Sequence, residues 1–395
     1  MIREQDDATH RPEEPVTQPA TPSAFPGGPG LFRLDPGTAH LNHGSYGAVP
    51  VPVQEVQEAL RAEAHADPDA FFNSVPDRLD HARGRIAAHL GADPEGIAFI
   101  SNATEGAHLA LDAVPLADGD EILVTDHGYG TVVAAAARRA PVTTVALDPH
   151  LPDEDAVRET VLAALTPRTK VALLDHVSSP TARLIAGPRL LADLAARGVT
   201  TIVDGAHTPG TLAQPIATGA DFWFGNLHKW GYAPSGSALL AVAPAHRARV
   251  RALAPSWQDH RGFPRSVEYR ATADYTGWLA APEGLGLIER LGAAEVRAHN
   301  CALAAHGAEL LARIPGLTAL PHTEGLPMRA LLLPRGTAET QDAAAALREE
   351  IAAKLRTRVL IWPRPGGGGI RVCGQVYNRP EEYERFAAAF AGFLA

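Results

Sequence analysis

Residues 200–234 read TTIVDGAHTPGTLAQPIATGADFWFGNLHKWGYAP, and the division of this stretch decides the fold. A β-branched run over 200–203 ends on a carboxylate, Asp204, and His207 follows three residues later in a Gly/Pro turn. A second apolar run, Phe222-Trp223-Phe224, ends in Asn226-Leu227-His228-Lys229-Trp230. Short apolar runs bounded by turn residues are the pattern of buried parallel strands. Groups just past the carboxyl ends of such strands fall where open α/β sheets bind their ligands. The stretch is therefore expected to deliver an acid and a lysine to one crevice.

The flanking sequence continues the alternation. Strands are expected over 97–100, 122–125, 142–147 and 170–175, with helices over 102–111, 129–139, 154–165 and 188–197. This order predicts an α/β fold, a large domain with a mostly parallel sheet between helices. Two helices over 53–65 and 76–90 precede it, and Asn42-His43-Gly44-Ser45-Tyr46-Gly47 reads as a glycine-punctuated loop. Downstream come a strand over 237–242, an irregular segment over 255–278 and a long helical pattern over 282–313. Strands over 329–333, 358–361 and 370–372, with helices over 339–355 and 380–394, predict a small C-terminal α+β domain. The expected division is a disordered tail over 1–30, a large domain over 31–280, and a linker helix with the small domain over 281–395. The tail rests on composition, six prolines and a GGPG run within those residues.

Composition bounds the function. The net charge of −10 argues against a general nucleic-acid binder. With two cysteines, Cys301 and Cys373, there is neither a disulfide framework nor a zinc spacing. No signal-like start and no long apolar run is present, so a cytoplasmic protein without membrane contact is expected.

The strand ends carry the chemistry. Asn102-Ala103-Thr104-Glu105 opens a helix and reads either as a capping box or as a phosphate cradle, two roles that are compatible. Asp126-His127 closes another strand, where an imidazole could lie over a planar ring or simply belong to a polar loop. His176 and Ser178-Ser179 occupy the same rim. Asp204 fits a turn, or a carboxylate that keeps a pyridine nitrogen protonated, with His207 near the ring's phenolate edge. Lys229 lies among aromatics, where desolvation would lower its pKa and free the amine for Schiff-base formation. An acid and such a lysine are the protein's two main contributions to pyridoxal phosphate chemistry.

Together, Asp204-x-x-His207, Asn226-x-His228-Lys229, Asn102-Ala103-Thr104-Glu105 and Asp126-His127 resemble the class V, fold-type I, pyridoxal-phosphate enzymes. The isopenicillin N epimerase-like group, related to cysteine desulfurases and C–S lyases, is the nearest in pattern. Asn42 to Gly47 and Arg371 with Tyr377-Asn378 add to that likeness, which runs from about residue 38 to the C-terminus. The resemblance implies a pyridoxal 5'-phosphate cofactor held as a Schiff base by Lys229, which also shuttles protons. It implies Asp204 at the pyridinium nitrogen, His127 stacked on the ring, and His207 and Ser179 near the ring oxygen. Ala103, Thr104, Asn226 and His228 would hold the phosphate. Arg371 would clamp the substrate carboxylate, with Asn42, His43 and Tyr46 as further substrate contacts. Thr272 would reach the phosphate of a second subunit, which makes the expected partner another copy of the chain, a homodimer with shared active sites.

One departure matters. Desulfurases of this family need a nucleophilic cysteine on a loop before the carboxylate-binding arginine, and residues 362–369, WPRPGGGG, have none. Cys373 shares a strand face with Arg371 and reads as a small packed residue, and Cys301 as structural. Persulfide chemistry is therefore not expected. The reaction expected on an amino-acid substrate starts with Cα-proton removal by Lys229 and leans to C–S β-elimination from an S-substituted cysteine, in specialised metabolism. Epimerisation, with His43, Tyr46 or Cys373 as opposing acid, and then transamination are the alternatives. A cofactor-binding regulator without turnover is the non-enzyme reading, disfavoured because the first 30 residues are too short and proline-rich for a helix-turn-helix and the chain is acidic. The aromatic and arginine-rich segment over 257–269 is expected to shape the pocket mouth and to admit a substrate larger than a simple amino acid.

Overall fold

The computed structural model describes residues 21–394. Its large sheet has seven strands: β1 (Ile97–Ile100), β2 (Glu121–Thr125), β3 (Val142–Val145), β4 (Thr169–Asp175), β5 (Thr200–Asp204), β6 (Phe222–Asn226) and β7 (Ala238–Val242). Their spatial order is β1-β7-β6-β5-β4-β2-β3. Only β7 runs against its neighbours, β1 and β6, so β1, β2, β4, β5 and β6 all end on one edge. The sheet is mostly parallel, as the alternation predicts.

Residue parity divides the sheet between two cores. Phe99, Leu123, Leu174, Val203 and Trp223 face one side, against the helices Pro68–Leu90, Pro188–Ala196 and Thr276–Arg290. Ile100, Val124, Leu173, Ile202 and Phe224 face the other, against Ala103–Ala113 and Gly130–Arg139. Gly106 lets the first of these helices sit on β6, since a Cβ there would come within 2.5 Å of the Phe224 Cβ. Both faces are buried, which is why the strands are apolar throughout rather than alternating.

The small domain packs its helices Gln341–Leu355 and Pro380–Leu394 on an antiparallel sheet of Leu360–Trp362, Gly369–Cys373, Met328–Leu332 and Thr318–Ala319. It is tied to the amino-terminal segment by Ala39–His40, which pairs in parallel with Thr357–Arg358.

Several boundaries differ from the sequence expectation. The first 20 residues of the expected tail lie outside the described residues. Residues 21–30 do pack: Gly28 is buried and the Phe25 ring meets His299 at 5.2 Å. The expected long helix over 282–313 is two helices, Thr276–Arg290 and Ala293–Ala312, broken at Gly292 with φ 85°. The helix expected from 76 starts at Pro68, capped by Asp67, and accommodates Pro76 internally. His43–Tyr46 forms one helical turn within the expected loop. No helix among the described residues is long and apolar enough to cross a membrane.

Within this chain the ion pairs of the segment over 257–269 lie at the sheet edge rather than beside Lys229. Arg265 pairs with Asp80 and Glu95, and Arg261 with Asp80, beside the amino-terminal end of β1. Glu268, 1% exposed, accepts from the Phe99 amide at 2.9 Å and pairs with the equally buried Arg83. The segment buckles the helix Pro68–Leu90 to the sheet edge. Arg83→Ala is expected to leave Glu268 buried and unpaired and to cost about 3–5 kcal/mol, while replacing both by Met recovers most of it. Urea denaturation of the single and double variants measures this.

Candidate active site

The edge where β1, β2, β4, β5 and β6 end gathers most of the residues singled out by sequence. Asp204 closes β5 and is 4% exposed, with its carboxylate accepting the Ala206 amide at 2.9 Å. Burial raises its pKa to about 6, opposed by that hydrogen bond and by Lys229. Asp175 pairs with it in register across β4 and β5 and faces the same side. Burial, then the Asp204 charge, pushes Asp175 well above the usual carboxylate range. The two carboxylates therefore share one buried edge, and of the two Asp175 is the one pushed up by its neighbour's charge. Sequence reasoning missed Asp175, although the signal was present: a carboxylate closing a buried strand.

Lys229 follows β6 in a tight turn. Its side chain is part-buried, but protein surrounds the amine, and desolvation lowers its pKa to about 8 against the pull of Asp204. Its Nζ lies 3.4 Å from His207 Nε2. Trp230 Nε1–H, which can only donate, approaches His207 Nδ1 at 3.4 Å. His207 is thereby set with its proton on Nε2, facing the amine. Burial, then Lys229 and Arg371, hold it well below its ordinary pKa, so the ring is neutral.

His43 sits behind this turn rather than in the crevice. Its Nε2 donates to the Lys229 carbonyl and its Nδ1 accepts from Tyr377 Oη, both at 3.1 Å, and its ring packs on Trp230 at 4.8 Å. Burial lowers its pKa to about 3. With both nitrogens engaged it positions Lys229 and is not free to meet substrate. Tyr46 is 83% exposed and is not brought to Lys229 in this chain. Gly47, at φ +76°, allows the segment to lie on this turn, because a Cβ would come 2.1 Å from the His228 carbonyl.

A cradle forms where the helix Ala103–Ala113 begins. Asn102 caps it through the Glu105 amide at 3.0 Å, and Glu105 reaches back to the Ser101 amide at 2.7 Å rather than to Asn102. Asn226 Oδ1 accepts the Ala103 amide at 2.9 Å, and Thr104 Oγ1 meets Thr131 Oγ1 at 3.1 Å. His228 Nδ1 donates to the Ser237 carbonyl at 3.1 Å, which leaves Nε2 as its free nitrogen. Asn226, Asp204 and Asp175 project to the same sheet face because their strands share a parity with Phe224, Ile202 and Leu173. Helix-start amides and the macrodipole suit an anion.

His127 holds Thr181 Oγ1 at 3.2 Å through Nδ1, and Thr181 is anchored on Ser178 Oγ at 2.9 Å. Burial lowers the His127 pKa, opposed by Asp126. His176 turns its ring into the interior, and burial lowers its pKa to about 4. Arg371, fully buried, donates to the Ser179 carbonyl at 2.6 Å, to Ser179 Oγ at 3.2 Å and to Asn42 Oδ1 at 3.2 Å. Its Nε is buried without a partner, and no carboxylate of the described residues lies within ion-pair distance. Ser179 is thus engaged by Arg371. A buried guanidinium with only neutral acceptors is a site that wants an anion. Cys373 packs with Val177, Trp230 and Met328. Thr272 is exposed on its loop.

The profile of the family described as "Aminotransferase class-V" matches residues 49–361, and the chain belongs to that family. Among its relatives are the isopenicillin N epimerases of Streptomyces clavuligerus, 33% identical over 89% of this chain and 93% of theirs, and of Amycolatopsis lactamdurans, 35% identical over 89% and 94%. The fold is also that of the cystine C–S lyase C-DES, solved with its product cysteine persulfide: TM-score 0.77, 21% identity, 93% of this chain and 99% of that one.

The family's cofactor is pyridoxal 5'-phosphate, and the residues gathered here fit it. A desolvated amine, a buried charged carboxylate, a neutral imidazole proton and a helix-start anion cradle converge on one crevice. The amine titrates near neutral pH, which gives a test. The rate at which apoprotein takes up the cofactor, followed by visible absorbance, should rise with pH through about 8, because the neutral amine is the nucleophile. Asp204→Asn removes the charge that favours the ammonium and should move that midpoint to lower pH.

Proposed function

We propose that this enzyme removes the Cα proton of an α-amino acid with Lys229 as base and expels a sulfur substituent from Cβ, a C–S β-elimination on an S-substituted cysteine. Bound at Lys229, pyridoxal phosphate supplies an electron sink for the Cα electron pair. Arg371 holds the α-carboxylate in a two-pronged, charge-assisted grip. Asp204 would keep the ring nitrogen protonated, and the His207 Nε2 proton would serve the ring's oxygen edge. Ala103, Thr104, Asn226 and His228 would hold the phosphate. His127, braced by Thr181, would cover the ring. Once the substrate's amino group has taken its place, Lys229 Nζ would be free to take the Cα proton; the C–S electron pair would leave with sulfur as a thiolate, and water would complete release of pyruvate and ammonia.

One observation carries the choice of elimination: among the described residues of a single chain, the three candidates for a second acid are occupied, exposed or packed. His43 has both nitrogens engaged, Tyr46 points to solvent, and Cys373 is packed. Removal and return of a proton on opposite faces needs a second group, whereas elimination needs one base. The absence of a cysteine in residues 362–369 supports a lyase over a persulfide-forming desulfurase. The second reading is epimerisation, favoured by the 33% and 35% identity to isopenicillin N epimerases. We infer further that two copies share sites, with the exposed Thr272 loop reaching the partner's phosphate cradle.

The purified protein, incubated with S-substituted L-cysteines, is expected to yield pyruvate and thiol in equal amounts, and Lys229→Ala to lower the rate by at least about 1,000-fold. Incubation in D₂O tests the second reading: Cα deuterium with loss of chirality and no pyruvate would replace the lyase by an epimerase. Conversion to the aminated cofactor would mark a transaminase.

A further inference from the structure

The turn that carries Lys229 holds one residue in a backbone conformation its side chain resists. Tyr232, three positions after the lysine, sits at φ 59°. That left-handed region crowds Cβ against the following carbonyl, and a bulky residue stays in it only when its surroundings hold it there. The turn closes around the lysine as the Ala233 amide donates to the Leu227 carbonyl at 3.2 Å.

The Tyr232 side chain supplies the hold. Its ring is 1% exposed and meets Phe32 edge-on at 5.5 Å and His43 at 6.1 Å. Burial pushes the phenol pKa up, so the hydroxyl keeps its proton, and it donates to Gln375 Oε1 at 2.6 Å. Gln375, also 1% exposed, is fixed in its turn. Its Oε1 accepts from Asn300 Nδ2 at 3.1 Å and from the Val376 amide at 2.8 Å. Helix Thr276–Arg290 closes the far side, where a Cβ on Gly284 would come within 2.3 Å of the Gly231 carbonyl oxygen.

The two ends of the phenol hydrogen bond belong to different parts of the site. Tyr232 continues the turn after β6 that bears the amine. Gln375 follows the strand Gly369–Cys373, four positions past Arg371, and the intervening Gly374 amide donates to the Pro327 carbonyl at 2.9 Å. Asn300, on helix Ala293–Ala312, steadies the junction. One buried hydrogen bond thus joins the lysine's turn to the arginine's strand.

We propose that Tyr232 and Gln375 are positioning residues, whose hydrogen bond holds the Lys229 turn in its left-handed form and sets the amine, out of water, against the Arg371 guanidinium. This rests on the reading of Lys229 and Arg371 above. Without the bond the turn relaxes toward ordinary backbone angles, and the amine shifts and gains water. A misplacement of about 1 Å can cost roughly 100-fold in rate, while the carboxylate grip of Arg371 is left in place.

The test compares wild type with Tyr232→Phe, Gln375→Met, the double variant and Gln375→Glu, with rates taken per folded molecule as read by urea denaturation. Turnover is measured on S-alkyl-L-cysteines with holoenzyme, and cofactor uptake on apoprotein by visible absorbance. Tyr232→Phe and Gln375→Met should each lower kcat about 10- to 100-fold with KM within about twofold, and the double variant should be no worse than either. Gln375→Glu should keep most of the rate, because all three groups around Oε1 donate. The pH midpoint of uptake, about 8 in wild type, should rise in Tyr232→Phe, since a wetter amine titrates nearer its ordinary value. Unchanged kcat and midpoint in Tyr232→Phe, or losses that multiply in the double variant, would overturn the inference and leave the functional reading intact. If wild type turns over no S-alkyl-L-cysteine, the elimination reading falls, and the uptake midpoint alone decides this inference.

Discussion

The site depends on keeping one amine out of water beside one negative charge. An ammonium at Lys229 would be costly in its surroundings, and Asp204 lowers that cost, so the group is held at a pKa of about 8 rather than frozen in either state. The balance requires that Asp204 and Lys229 come from neighbouring strands that end on the same edge. Asp175, the second carboxylate in register, is pushed well above the usual carboxylate range by burial and by the Asp204 charge. The parallel sheet supplies the edge, and the common parity of Asp175, Asp204 and Asn226 supplies the face.

Around that centre, most polar groups are committed to holding other polar groups. His43 and Tyr377 secure the Lys229 carbonyl, Trp230 orients His207, Thr181 orients His127, and Asn42 with Ser179 orients Arg371. Such supporting bonds keep the reacting groups within a narrow geometry, which matters more to rate than the contacts themselves. The C-terminal region contributes Arg371, whose buried guanidinium meets only neutral acceptors of Ser179 and Asn42. Its charge therefore comes from a different sheet than Asp204 and Lys229 do.

Much of this was legible in residue order. The short apolar runs gave away the parallel sheet because both of its faces are covered, and Asp204, His207, Asn226 and Lys229 were recognisable because each stands directly after such a run. The Asn102 cap was readable for the same local reason. Asp175 was overlooked since its importance lies in register with Asp204, a relation between strands 29 positions apart in sequence. In the segment over 257–269 aromatic residues and arginines look like a binding surface, whereas within this chain Arg265 and Glu268 are paired with Asp80, Glu95 and Arg83 from distant positions. His43 and Tyr46, adjacent in a motif, point to opposite destinies: one is enclosed behind Lys229 and the other is in solvent.

The amino-acid sequence by itself determined the α/β architecture and the polar residues that stand at its strand ends, Lys229 among them, because hydrophobic period and turn residues act over a few neighbours. Only the tertiary structure decided which groups remain free. Whether an imidazole is an acid or a brace, a serine a ring contact or a clamp for Arg371, and an arginine paired or waiting for a ligand depends on partners brought together from far along the chain. Burial and hydrogen-bond satisfaction are properties of that assembled neighbourhood, and no local pattern encodes them.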